Sequence, residues 1–503
     1  DRAARAGGAA GAGQGRDPAH AAGGPRRRWM VPALLVVAGI GAALGAVAVD
    51  GGDTAAAVGS PATPVTPVLS ARRVPEVLAA PVGDRRLAAD LDAWLAGSPA
   101  DTCLVVSAKG HEVYDHNPDQ PVTGASTQKL LTSTGLLMAL GPDATFQTRA
   151  MAAQAPQGGV VAGDLFLVGG GDASLGTADW PPNSPGTRPR VVHDIDALAA
   201  SIAAAGVTQV QGSVVGDGSR YDDQRYEPSI APRLIEQDQV GPIGGLMVND
   251  GFAQFSPARS FESTVPAGDP AADAARVLTE RLAAHGVAVA GPPRAGRAPA
   301  GAVSVASMAS PPLRQVIADM LTYSDNETAE SGIKEIGHAA SGQGSWAAGA
   351  AGLTQLLSDG GVPMAGVTVV DGTGLSIQDH LTCRALVGVL ARPETGPVLR
   401  AGLPVAGQSG TLATRFLGTP VAGRLRAKTG TLRNVTALAG EVDPLAGGTV
   451  TFAYVANVPD PGEVTATGVG EDELGEILLG YPRGVDVAAL GPQPAAPAAA
   501  PGG

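Results

Sequence analysis

The chain has few cysteines, histidines and basic residues, and each shortage excludes a class of protein. Only Cys103 and Cys383 occur among 503 residues, too few for a disulfide framework and without a C-x-x-C pair. The seven histidines are scattered and form no H-E-x-x-H pair, so no metal site is predicted. A net charge of −13 disfavours general nucleic-acid binding, which depends on Lys and Arg contacts to phosphate.

The two cysteines leave two interpretations open. In an exported protein they could form a single disulfide bridge. The pattern favours the other interpretation, two small buried hydrophobic residues, because unpaired cysteine is among the residue types most often buried.

The amino-terminal part predicts export. Three arginines, Arg26 to Arg28, precede residues 29–49, which carry no charge and match the length of about 20 apolar residues that a membrane-spanning helix needs. Positive charge on the amino-terminal side places that side in the cytoplasm and the rest of the chain outside. A cleaved signal peptide is the alternative, with residues 46–48 as an A-x-A-like site, although the length favours an anchor.

A first short motif places a lysine three residues after a serine. Ser126 and Lys129 stand at the start of a run with leucines at helical spacing. Residues three apart share a helix face, so the lysine amine can reach the serine hydroxyl and act as its base once its pKa is lowered. The helix amino terminus and nearby cations would lower it. Alone, the pattern is more often a helix cap followed by a surface lysine.

Two further motifs follow in the order that a serine–lysine enzyme requires. Ser324 and Asn326 stand between two predicted helices, where the serine can relay a proton and the amide can bind a substrate amide. Alone, such a triplet is more often a turn or helix cap. Lys428, Thr429 and Gly430 lie on a predicted strand: the first two are expected to bind a carboxylate, and the glycine permits close approach of substrate. The backbone N–H of Thr431 is a candidate donor to an oxyanion.

The three motifs together are the signature of the penicillin-recognising serine enzymes. The chain resembles one family among them, the low-molecular-mass class C penicillin-binding proteins, which are D-alanyl-D-alanine carboxypeptidases and endopeptidases. The stretches that carry the resemblance are GASTQKLLT at 124–132, LVGGGDASL at 167–175, YSDNETAE at 323–330, DGTGLS at 371–376, LPVAGQSGTLATRF at 403–416 and AKTGTL at 427–432. The long gap between Ser126 and Ser324 also resembles this family, whereas class A β-lactamases have a short gap and an E-x-x-L-N segment that is not found here.

The resemblance implies an α+β fold of the β-lactamase/transpeptidase type: an antiparallel sheet with helices on both faces, a helical subdomain and a large β-rich insertion. It also implies attack by Ser126 on a D-Ala carbonyl of a peptidoglycan stem peptide, an acyl-enzyme, acylation by β-lactams, and no cofactor. The expected division is a disordered cytoplasmic tail at 1–28, an anchor or signal segment at 29–49, a linker at 50–84, catalytic parts at 85–150 and 304–482, an inserted region at 151–303 and a disordered tail at 483–503.

Other functions and roles stay open from the sequence. A non-catalytic β-lactam or muropeptide sensor, or a wall scaffold, would use the same pocket, and β-lactamase activity is a minor alternative. The choice between terminal D-Ala and cross-links is also open. Asp371 is expected to form a turn. Asp164 and Asp172 are candidates for contacting a diamino-acid side chain, with surface turns the more ordinary role.

Overall fold

The computed structural model of the chain describes residues 75–180, 192–255, 264–458 and 470–483. The predicted tails, except Arg483, and the apolar segment 29–49 therefore lie outside the described residues. The expected end of the linker at residue 84 is wrong, because helix α1 already begins at Pro75 (Pro75–Leu95). Within the described ranges, no helix has both the length and the apolar composition to cross a bilayer.

A five-stranded antiparallel sheet forms the centre of the catalytic part. Its strands lie in the order β15, β16, β17, β1, β2. Their bounds are β1 Asp101–Ala108, β2 His111–His116, β15 Leu425–Leu432, β16 Val435–Val442 and β17 Val450–Asn457. Strands from the first and last parts of the catalytic region thus meet in one sheet, since β1 pairs with β17 along its whole length. The strand β15, which carries the K-T-G motif, is an edge strand.

Alternation along the strands buries both faces of this sheet. On β1, Cys103 and Val105 belong to a core formed with the helices on one side, whereas Leu104 and Val106 belong to a core on the other side. Successive side chains of a strand point to opposite faces, so a strand covered on both sides is apolar throughout. The expectation of helices on both faces is therefore confirmed.

Two helices cover one face and most of the others cover the opposite face. The first pair is α1 and α11 (Glu471–Leu479), whose leucines pack on the β1 side chains of the second core. The larger group consists of α2 Gln128–Leu140, α6 Leu313–Tyr323, α7 Asn326–Ser341, α8 Trp346–Asp359, α9 Cys383–Leu390 and α10 Gly396–Gly402. Every residue of α2 from Gln128 to Leu137 is buried, so this helix runs through the middle of the group.

The inserted region has its own core and a mixed five-stranded sheet in the order β13, β9, β5, β3, β14. Those strands are β3 Gln147–Ala152, β5 Leu165–Val168, β9 Val214–Asp217, β13 Arg294–Ala295 and β14 Val303–Ala309. The insertion therefore begins and ends a few residues outside the expected range of 151–303. The remaining elements are the short strands β4 Val160–Val161, β6 Leu175–Gly176, β7 His193–Asp194, β8 Gln209–Val210, β10 Phe252–Gln254, β11 Val265–Pro266 and β12 Ala288–Val289, and the helices α3 Asp196–Ala204, α4 Pro232–Glu236 and α5 Pro270–Ala284.

The cysteines form a disulfide, which corrects the favoured expectation of two unpaired thiols. Cys103 on β1 is bonded to Cys383, the first residue of α9, across a sequence separation of 280 residues. Both residues are fully buried. Sequence could not show the pairing because the two positions come together only when α9 packs against the sheet.

Candidate active site

Ser126 lies in a short helical turn, Ala125–Thr127, directly before α2. Ala125 takes a positive φ of 47°, a left-handed conformation that is strained for a residue with a Cβ. Gly124 is packed so tightly that an added Cβ would lie 2.2 Å from Leu381 Cδ2. The serine itself is partly exposed, so its hydroxyl is held by a rigid turn and yet reaches solvent.

Lys129 lies one turn further along and contacts the serine. Its Nζ lies 2.9 Å from Ser126 Oγ, 2.7 Å from Asn326 Oδ1 and 3.3 Å from the Thr373 carbonyl oxygen. Three acceptors satisfy all three N–H groups of an ammonium. The lysine is fully buried. The geometry predicted from the i, i+3 spacing is therefore present.

Burial lowers the pKa of the Lys129 amine below that of an exposed lysine. Desolvation lowers the pKa of Lys129 to about 8, although Asp371, Glu330, Asp325 and Glu327 oppose that shift. The expected cause of the lowered pKa was the helix amino terminus with nearby cations. Here, exclusion of water disfavours the charged ammonium, and the surrounding carboxylates favour it. In about one tenth of the molecules the Lys129 amine is then neutral at pH 7, and a general base must be neutral to accept a proton.

Ser324 and Asn326 occupy the connection between α6 and α7. Ser324 ends α6 in the left-handed conformation (φ 60°, ψ 38°), and Asp325 caps α7 by accepting from the Thr328 N–H at 2.9 Å. Both ends of the Asn326 amide are already bonded: Oδ1 accepts from Lys129 and Nδ2 donates to the Gln239 carbonyl at 2.5 Å. The amide thus holds the lysine and ties it to the inserted region, and its expected contact with a substrate amide stays a prediction.

Lys428 connects the edge strand to Ser324. Its Nζ lies 2.8 Å from Ser324 Oγ and 2.8 Å from the Thr429 carbonyl. Burial, and next the charge of Lys129, lower its pKa well below the ordinary value. The charge of Lys129 thus disfavours the protonated form of Lys428. Residues from all three motifs meet in one pocket.

The rest of the K-T-G strand faces the nucleophile turn. A Cβ on Gly430 would lie 2.5 Å from the Gly124 carbonyl oxygen, so only glycine allows this approach. The Thr429 hydroxyl lies 2.9 Å from that of Thr411. The Ala427 N–H donates to Pro404, away from β16, so by the alternation of an antiparallel strand the N–H of Thr431 also points outward.

A buried loop, residues 371–376, lies beneath the nucleophile. As expected, Asp371 forms the turn: its carboxylate accepts from the N–H groups of Thr373, Gly374 and Ser376 at 2.5–2.8 Å. A Cβ on Gly374, where φ is 78°, would lie 2.1 Å from the Ala125 carbonyl oxygen. The loop is therefore in direct contact with the turn that presents Ser126.

Sequence reasoning missed three residues that complete the pocket: Glu330, Gln239 and Thr411. Glu330 stands four residues after Asn326 on α7, so helical spacing placed it on the same face and could have identified it. Nothing in the sequence connected Gln239 or Thr411 with the motifs. The inserted region corrects one expectation: Asp172 is buried and bonded to Ser174 and His193, and is not in a surface turn.

Three buried carboxylates behind the S-D-N connection form the nearest approach to a cation site among the described residues. The ligand atoms of Asp250, Asp325 and Glu327 all lie within 4.8 Å of one another. Each has a structural contact: Asp250 accepts from the Trp180 indole, Asp325 caps α7 and Glu327 accepts from the Gly241 N–H. Each of these carboxylates therefore has a structural role in the packing behind the S-D-N connection.

A serine beside a buried lysine, an S-x-N connection and a K-T-G edge strand define the site of the penicillin-recognising serine enzymes. Comparison with solved structures agrees on the fold: penicillin binding protein 4 from Haemophilus influenzae is similar with a TM-score of 0.63 at 18% identity, covering 76% of this chain and 97% of that chain. The expected fold class is thereby confirmed.

Sequence comparison establishes the family. The model of the D-Ala-D-Ala carboxypeptidase 3 (S13) family matches residues 87–262 and 256–470. A carboxypeptidase from Mycobacterium tuberculosis is 33% identical over 79% of this chain and 84% of its own length. A D-alanyl-D-alanine carboxypeptidase from Actinomadura sp. is 30% identical over 73% of this chain and 79% of its own length. The chain belongs to the D-Ala-D-Ala carboxypeptidase 3 (S13) family and is a serine-type D,D-peptidase.

Proposed function

We propose that this protein removes the terminal D-Ala from peptidoglycan stem peptides outside the cytoplasmic membrane, through an acyl-enzyme on Ser126. The observation that carries the mechanism is the buried Lys129 amine 2.9 Å from the serine hydroxyl. Membership of the S13 family supports the bond type. Lys129 and Asn326, 197 residues apart in sequence, come within 2.7 Å of each other only in the folded chain.

Acylation begins at the serine–lysine pair. The neutral amine of Lys129 accepts the proton of Ser126 as its Oγ attacks the carbonyl carbon of the penultimate D-Ala. The ammonium formed keeps two acceptors, because Asn326 and Thr373 remain bonded to it. No histidine is required, and the proton is stored in a site that excludes water.

The developing oxyanion is bound by backbone N–H groups. The N–H of Ser126, in a helical turn, and the N–H of Thr431, which points outward from the edge strand, would donate to the oxyanion formed when Ser126 attacks the carbonyl. A peptide laid along β15 would add a strand to the sheet edge, and Lys428 and Thr429 would bind its terminal carboxylate.

Departure of the terminal D-Ala needs a proton on its amine. Ser324 is placed to deliver one, because its hydroxyl accepts from Lys428 at 2.8 Å and can donate its own proton onward. The Lys129 ammonium gives its proton to the Ser324–Lys428 pair, so Lys129 is neutral again. Water then attacks the acyl carbonyl and gives a proton to Lys129. Lys129 passes that proton to Ser126 Oγ as the acyl–oxygen bond breaks, which releases the shortened peptide and regenerates Ser126. β-Lactams, which mimic the D-Ala-D-Ala terminus, would acylate the same serine and leave slowly.

Export is part of the proposal. The described part of the chain contains a buried disulfide, and such bonds persist in oxidising compartments. Residues 29–49, which lie outside the described residues, would hold the protein at the membrane with the catalytic part outside. Membrane fractionation of the full chain and of a chain lacking residues 1–49 tests the anchor: both in the soluble fraction would contradict it.

The decisive experiment for the catalytic role combines labelling with product analysis. Fluorescent penicillin should label the wild-type protein and not Ser126→Ala, and a stem pentapeptide should release D-Ala at a rate that Ser126→Ala abolishes. Labelling without D-Ala release would favour a sensor instead. A cross-linked muropeptide dimer, offered in parallel, shows whether the pocket also cleaves cross-links.

A further inference from the structure

Glu330 is a buried glutamate on α7 that the mechanism above does not use. Its side chain is completely inaccessible to solvent. The Trp346 indole N–H, from the first residue of α8, donates to Glu330 Oε2. The Gly372 N–H approaches the same oxygen at 3.5 Å. Burying a carboxyl group away from water costs folding free energy unless hydrogen bonds or charges compensate it.

The loop next to Glu330 is the one that contacts the catalytic pair. Gly372 packs so closely on α7 that an added Cβ would lie 2.2 Å from the Ala329 carbonyl oxygen. Its own carbonyl accepts from Thr132 on α2 at 2.8 Å, and the next carbonyl, of Thr373, accepts from Lys129. One short rigid loop therefore separates the Glu330 carboxyl group from the lysine amine.

We propose that Glu330, oriented by Trp346, is a positioning residue for Lys129, and that its carboxyl group sets the pH range over which this lysine becomes a base. The proposal rests on the proposed function, because it assigns a regulator to the base of that mechanism. It requires no bond to be made or broken, only the gain or loss of one charge beside another.

Electrostatics support the geometry. Burial, and next the charge of Asp371, raise the pKa of Glu330 to about 8, although the Trp346 hydrogen bond lowers it. Glu330 in turn raises the pKa of Lys129. The two groups therefore titrate in the same range and oppose each other: as Glu330 loses its proton, Lys129 holds its own more tightly.

The other charged groups near Glu330 come from its own helix and from the loop. Glu327 and Lys334 are on α7; the Lys334 ammonium lies 3.7 Å above the Trp346 ring and 2.6 Å from Asp222. Asp371 lies in the loop, and behind it Asp379 has a pKa raised well above the ordinary value by burial and by Asp371. Of these carboxyl groups, Glu330 is the one that accepts from an indole N–H. A single substitution of Trp346 therefore changes the Glu330 pKa while Glu330 itself is kept.

The test measures the rate of acylation by fluorescent penicillin between pH 6 and pH 10. In Glu330→Gln the negative charge that favours protonated Lys129 is absent. The rising limb of the plot of acylation rate against pH should therefore move to lower pH by about one unit and become steeper. Trp346→Phe keeps the ring but removes the N–H, which raises the Glu330 pKa further; its limb should shift in the same direction by less. This second variant keeps the proposal testable if Glu330→Gln does not fold.

Glu335→Gln is the matched control. Glu335 is also a buried glutamate of α7, but it is bonded to Arg220 and Tyr221. This variant should lose stability and keep the wild-type limb. A limb in Glu330→Gln or Trp346→Phe that superimposes on the wild type, with only a uniform loss of rate, would overturn the proposal. Failure of the wild-type protein to be labelled at Ser126 would instead refute the proposed function.

Discussion

Acidification should slow the acylation of Ser126 steeply, and the buried lysine determines the range. With a Lys129 pKa of about 8, the neutral fraction falls from about one half at pH 8 to about one hundredth at pH 6, an approximately 50-fold loss of rate. With the ordinary lysine pKa of 10.5, the neutral fraction at pH 7 would be about 300-fold smaller than with a pKa of about 8. Burial of Lys129 therefore greatly increases the acylation rate at neutral pH.

The assay is the second-order rate of fluorescent penicillin labelling in buffers of constant ionic strength, with circular dichroism at each pH to show that the fold persists. Lys129→Arg is the matched variant, because arginine keeps the positive charge but does not act as a base in this range. It should lose the rate by about 100-fold or more at every pH. A wild-type limb centred near pH 10, or an arginine variant that acylates at the wild-type rate, would refute the reasoning.

Three further predictions concern the packing around the site. Cys383→Ser should lower the free energy of unfolding by about 2–4 kcal/mol in urea titrations, because the disulfide closes a loop of 280 residues; a reducing agent should lower the wild type equally and leave the variant unchanged. Gly430→Ala should abolish labelling by forcing β15 away from Gly124, whereas Gly97→Ala, where no atom lies within 4 Å, should label normally; equal labelling would contradict the close approach. Thr411→Val removes the hydroxyl bonded to Thr429 and should raise KM for a stem peptide about fivefold with little change in kcat, and a purely kcat effect would count against a role of this contact in holding Thr429 for the substrate carboxylate.

Local patterns in the sequence were sufficient for the elements that carry the motifs. Sequence patterns predicted the strand that carries the K-T-G motif, β15, and leucines at helical spacing predicted the helix after Ser126. The spacing of Ser126 and Lys129 also predicted their contact, because residues three apart on a helix are neighbours wherever the helix lies. Boundaries were less certain, as the early start of α1 at Pro75 shows.

The convergence of the motifs depended on the fold. The distances from Lys129 to Asn326 and from Lys428 to Ser324 follow from the packing of α2, α7 and the sheet, so sequence could propose these partners only through resemblance to a family. The same holds for the disulfide, whose favoured alternative was wrong.

The sequence by itself determined the nucleophile, its lysine and the chemical class, because three short motifs occur together in a fixed order along the chain. Tertiary structure alone decided the electrostatics that make the lysine a base. Its pKa depends on the loss of water from a fully buried site and on carboxylates such as Glu330 and Asp371, which come from segments far apart in the chain. Desolvation and through-space charge are properties of the packed interior, and no local pattern encodes them.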